Sequence, residues 1–190
     1  MGNGELVKVK AATAGEICAR FDLKPESRPL LREGMGPKEF VEALVANKQY
    51  LAAAEFIAHA LPAREAVWWG CLCLQHASGE NLSPEDKAAC KAAVQWVVKP
   101  TEENRAAAQS PAQGAGLGTP AGQLAMAANQ MDESVAPPGA PSISPAPSAA
   151  AKSVALAVKM ASSKAEPVKI VETQRLYVEL GIGVAEGRFR

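Results

Sequence analysis

Aromatic residues are scarce in this 190-residue sequence, at 5%, and much of its 48% apolar content is alanine. A β-sandwich fills its core with β-branched and aromatic side chains, so that architecture is disfavoured. Alanine has the best helix propensity and lets backbones approach closely, so the composition points to close-packed helices. Charge of one sign is lacking too, since 20 Lys plus Arg balance 20 Asp plus Glu. With no basic block or stripe, the electrostatic footprint of a nucleic-acid binder is missing. The longest apolar run near the C-terminus, Val154 to Ala161, is interrupted by Lys159 and is too short to span a bilayer. The opening MGNGELVKVKAATAGEIC has no continuous apolar region and does not read as a secretory signal. Four cysteines, unevenly placed, are too few for a disulfide framework. These absences describe a cytoplasmic chain with neither membrane nor nucleic acid among its partners.

Catalytic signatures are missing as well. GAGLG at 114–118 follows no strand and lacks the lysine-serine or lysine-threonine ending of a phosphate-binding loop, so it reads as a turn. His59 lies near Glu65 in sequence, as a base oriented by a carboxylate would. No nucleophile motif accompanies it, and a histidine satisfying a helix end is the favoured reading. No catalytic, cofactor or metal residues are assigned.

What is present is concentrated in residues 56–75, FIAHALPAREAVWWGCLCLQ, which holds two of the three tryptophans and two of the four cysteines. This stretch is the expected centre of the core. Its candidate core or interaction residues are His59, Arg64, Glu65, Trp68 and Trp69. Arg64 and Glu65 fall in the first helical turn after Pro62, where they can pair with a neighbouring helix and fix an αα corner. Trp68 and Trp69 project about 100° apart on a helix, so they cannot face the same neighbour. Both are expected in the core, with Trp68→Ala costing on the order of 3–5 kcal/mol if that ring is fully enclosed. An exposed one would be a binding anchor.

Helix signals run along most of the chain. Thr13 can cap a helix over AGEICARFDL, and Pro37 suits the first turn of the next. Tyr50, Ala54, Ile57 and Leu61 form a helical stripe that Pro62 ends, and Ser83-Pro84-Glu85-Asp86 is a strong helix start. The stretch SVAPPGAPSISPAPS, residues 134–148, favours extended polyproline geometry, read either as a linker or as a strap anchored by Val135 and Ile143. In the last predicted helix, Gly181 and Gly183 mark the end. The architecture predicted is all-α, an irregular helical bundle or short α-solenoid of αα-hairpins crossed by a proline-rich strap. It divides into an N-terminal helix and loop (1–35), a core helical domain (36–131), the strap or linker (132–149) and a C-terminal helical pair packed on the core (150–190).

Cys73, His76 and Cys90 offer soft ligands for a metal. Cys71 and Cys73 point about 200° apart on one helix and cannot easily share an ion. Buried thiols acting as small apolar residues are the favoured reading. The alternative is a small metal- or thiol-dependent enzyme using Cys73, His76 and Cys90.

FVEALVANKQYLAAAEFIAHALPAREAVWWGCLCLQ, followed by AVQWVVKPTEENRAAA, resembles a family of uncharacterised bacterial proteins sharing a HALPxREAVWW core. The resemblance extends from about Phe40 through TPAGQLA and AKSVALAV to the C-terminal GIGVAEG. After the TPAGQLA helix this chain reads AANQMDESVAPP, without the aromatic, glycine-rich turn of the pattern. The resemblance implies one compact domain, an association with type VI secretion loci and a cytoplasmic accessory or adaptor role; it implies no enzyme class and no cofactor. Together with the missing catalytic spacing, the expected function is a non-catalytic helical protein–protein interaction module. Its partner is another protein, with homo-oligomerisation through the helical faces as a variant.

Overall fold

Capping chemistry sets the helix starts. Thr13, Ser83 and Thr101 each accept a hydrogen bond on the side-chain oxygen from the backbone N–H three residues on, at 3.3, 3.0 and 3.3 Å. Each of those bonds satisfies an N–H that the helix itself leaves unpaired. The computed structural model describes residues 4–79, 81–130 and 149–189. Its helices are α1 (Ala14–Cys18), α2 (Pro37–Ala46), α3 (Tyr50–Ala60), α4 (Ala63–Ser78) and α5 (Pro84–Val98). They continue with α6 (Glu102–Ala107), α7 (Gln109–Ala115), α8 (Pro120–Gln130), α9 (Ala149–Ser162) and α10 (Ile170–Ala185). No strand occurs among the described residues, and the chain is all-α.

Only Leu61 and Pro62 separate α3 from α4, because proline cannot continue the first helix but tolerates the start of the second. α4 then runs through the middle of the bundle and touches α3, α5, α8, α9 and α10. α9 lies against α8, α4 and α3. The abundant alanine is used here: Ala121, Ala125 and Ala128 of α8 are fully buried, as are Ala157 and Ala161 of α9. Gly70 completes the seam, since a Cβ there would collide with the Leu124 side chain of α8. Small faces bring helix axes close and leave few voids.

Two predicted helices have other limits. α1 stops at Cys18, short of AGEICARFDL, and Arg20 just beyond it donates from Nη1 to the carbonyl of His59 at 2.9 Å. α10 does not end at Gly181 or Gly183 but continues to Ala185, and the left-handed residue after it is Gly187, with φ 75°. The turn expected over GAGLG begins only at Gly116, since Gly114 and Ala115 still belong to α7. The proline-rich strap expected over 132–149 lies outside the described residues up to position 148.

Candidate functional site

Trp69 and Trp68 leave α4 on different sides. Trp69 is fully enclosed, and its Nε1–H donates to the carbonyl of Tyr177 on α10 at 2.9 Å. A buried indole needs such an acceptor. Gly181 lies one turn beyond Tyr177. A Cβ at that position would stand 2.9 Å from both the Trp69 ring and the Ile57 side chain. The glycine is therefore a place where α10 presses against the indole, not a helix stop.

Trp68 is only half-buried, which corrects the expectation that both rings are core. Its Nε1–H is shielded from water yet has no acceptor among the described residues. Around it opens a cleft of about 500 Å³ lined by Lys8, Arg64, Glu65, Val97, Val98 and Phe189. Arg64 stands in the first turn of α4 and donates from Nε to the carbonyl of Val97 near the end of α5, at 2.6 Å. That carbonyl is neutral, and no carboxylate among the described residues comes within ion-pair distance of Arg64. Glu65 instead meets Lys8 Nζ at 3.3 Å. The segment carrying Lys8 is tied to the end of α10, where the Lys8 backbone N–H donates to Ala185 O at 2.9 Å. Gly187 turns the chain back so that the Phe189 ring covers Gly183. Val98 is 69% exposed and Phe189 40%, with Val7 nearby at 68%.

His59 is placed elsewhere, on α3. It is 3% exposed and stacks on Phe21 with ring centroids 4.8 Å apart. Neither ring nitrogen has a hydrogen-bond partner among the described residues. Burial, and then the charges of Lys152 and Arg20, push its pKa down to about 4. The imidazole is thus neutral at ordinary pH and serves as an aromatic packing unit.

Cys73, His76 and Cys90 are not assembled into one group; no three metal-ligating side chains converge among the described residues. Cys90 of α5 faces Cys71, which sequence reasoning set aside. The hydrogen bond from Cys71 holds the Cys90 thiol down to about 7 against the opposing effects of burial and Asp86. The same bond, and then burial, push the Cys71 thiol well up. Cys73 is fully buried, and burial pushes its thiol up as well. His76 lies on the surface, with Nδ1 3.3 Å from the Tyr177 hydroxyl and its ring edge-on to that phenol. Facing across a helix hairpin depends on the register set by its loop, and nothing in the spacing of cysteines reveals that. The only local hint was the 200° separation that set Cys71 and Cys73 on different sides.

Comparison with known proteins places the chain by family. Residues 40–185 match the model of a family of unknown function (DUF6931), and the chain belongs to that family. No curated protein and no solved structure matches it.

Proposed function

We propose that this family member is a non-catalytic helical protein-interaction module, a cytoplasmic accessory or adaptor of type VI secretion, and that it docks a partner protein in the Trp68 cleft. The cleft itself carries the reading. Exposed Val98 and Phe189 rim a concave site next to a half-buried indole, and apolar surface of that kind is commonly an interaction site. Arg64 adds a charge that no carboxylate of the described residues neutralises, and the Trp68 N–H lacks an acceptor among them. The fitting partner therefore offers an apolar side chain beside a carboxylate or carbonyl oxygen. The secretion context and the cytoplasmic setting rest on the likeness of the HALPAREAVWW stretch to proteins associated with type VI secretion loci.

The test compares the wild type with Val98→Arg, both purified from the native host, with thermal melting as a control. Val98 is exposed, so the variant is expected to melt as the parent does. A stoichiometric partner that the wild type retains and Val98→Arg loses supports the reading. A partner held equally by both, or a wild type recovered alone, overturns it. Light scattering that shows a dimer dissolved by Val98→Arg would give the face to a second copy of the chain and overturn the heterologous version.

A further inference from the structure

α3 and α9 lie side by side and leave a groove of about 260 Å³. α9 contributes Lys152, Leu156 and Lys159, spaced i, i+4 and i+7 and so on one face. The two lysines stand two turns apart, roughly 10 Å along the axis. α3 contributes Leu51 and Glu55, and Lys24 approaches from the loop beyond α1. None of the three lysines is within ion-pair distance of a carboxylate among the described residues. Three lysines against one glutamate leave the lining at +2, in a chain whose formal net charge is zero. Burial, with a smaller push from the nearby Asp22 carboxylate, raises the Glu55 carboxyl more than Lys24, Lys159 and Lys152 lower it, which marks the wall around it as partly dry. Between the charges, Leu156 is 41% exposed and Leu51 is half-buried.

We infer that this groove docks an acidic amphipathic helix of a partner protein, with its carboxylates on Lys24, Lys152 and Lys159 and its apolar face on Leu51 and Leu156. Two helices with an apolar strip between cationic rims have the shape and charge for a helix laid in a groove. A nucleic acid fits poorly: a phosphate backbone would pass the Glu55 carboxylate, and the lining has no arginine to grip phosphates in bidentate fashion. A lipid surface fits poorly as well, because the site is concave and shows little apolar area to insert. None of these residues lines the Trp68 cleft, so the two sites can be tested separately.

The experiment is fluorescence anisotropy with the full chain and a labelled synthetic helix of about 25 residues, well beyond the length at which an isolated helix is marginal. The probe carries glutamates at i and i+7 with leucines between them. Controls replace its glutamates with lysines, or its leucines with serines. The glutamate–leucine probe is expected to bind, more weakly as salt rises, and both controls to bind at least about tenfold more weakly. The double variant Lys152→Glu/Lys159→Glu alters two exposed side chains and is expected to melt as the parent does. It should lose the glutamate probe by about tenfold or more and gain the lysine probe. Equal binding of glutamate and lysine probes, no binding of the glutamate probe, or no exchange of preference in the double variant would overturn the inference. So would sedimentation with phosphatidylserine vesicles that the double variant abolishes, which would reassign the lysines to a membrane.

Discussion

The inward and outward faces of α4 differ in how they treat one and the same residue type. Inward, the Trp69 ring is out of water, its N–H has an acceptor on α10, and a glycine there lets the neighbouring backbone come close. Outward, the Trp68 ring is half-covered and its N–H has no acceptor among the described residues. Its surroundings are exposed valine and phenylalanine with a guanidinium that no carboxylate among the described residues neutralises. The inner arrangement is complete within the chain. Among the described residues the outer one has surface and polar capacity left over, which is how a binding site differs from a core.

The sharpest way to break this contrast is to truncate each ring. Trp69→Ala should cost on the order of 3–5 kcal/mol, the range for a large buried aromatic. Trp68→Ala should cost well under half of that, because part of the ring already faces solvent. Denaturant melts of both variants decide it: equal losses would erase the difference between the faces.

His59 qualifies that contrast, because it is enclosed and yet its ring nitrogens have no partner among the described residues. Its folded pKa of about 4 lies below the ordinary histidine value of 6.5. Between those values the unfolded chain takes up a proton that the folded chain refuses. The stability linked to His59 is therefore complete above pH 6.5 and is lost as pH falls toward 4, by up to about 3 kcal/mol at roughly 1.4 kcal/mol per pH unit. Stability measured across pH 4–7 should show that slope, and His59→Phe, which keeps the stack on Phe21, should remove its share. An unchanged slope in the variant would mean the imidazole is not the group responsible.

Gly181→Ala probes the inner face at the scale of one methyl. Helix propensity alone favours alanine by about 1 kcal/mol, whereas the 2.9 Å approach to Trp69 and Ile57 predicts overpacking that costs about 1–3 kcal/mol. A net loss in melting temperature is expected, and a gain would show that α10 has room to move off the indole. The smallest effect is chemical. Iodoacetamide should label Cys90 with a rate rising through pH 7, while Cys71 and Cys73 stay unlabelled in the folded chain. Peptide mapping that found Cys73 labelled first would reverse the assignment of inside and edge among the thiols.

Local signals are legible where the physics is local. Thr13 and Ser83 cap helices because a side-chain oxygen and an N–H three residues away need no distant partner. Pro62 separates α3 from α4 for a reason contained in its own ring. Gly181 misled for the opposite reason. In isolation a glycine late in a helix reads as a stop, and only Trp69, far back in sequence, shows it as a contact. The meeting of Cys71 with Cys90 is not legible in the spacing either, since the two become neighbours only once α4 and α5 pack. The Trp68 cleft was half legible: Arg64, Glu65 and Trp68 stood out together, but Lys8, Val98 and Phe189 come from three other parts of the chain.

Composition and local pattern by themselves determined that this chain is helical, where several of its helices begin, and that its core would gather about residues 56–75. Those outcomes follow from backbone propensity and from hydrogen bonds closed within one turn. Tertiary structure alone decided which of two adjacent indoles lies inside, which thiols meet, and where the described residues leave apolar surface uncovered. Each of those depends on partners such as Tyr177, 108 residues from Trp69, that only packing brings within reach.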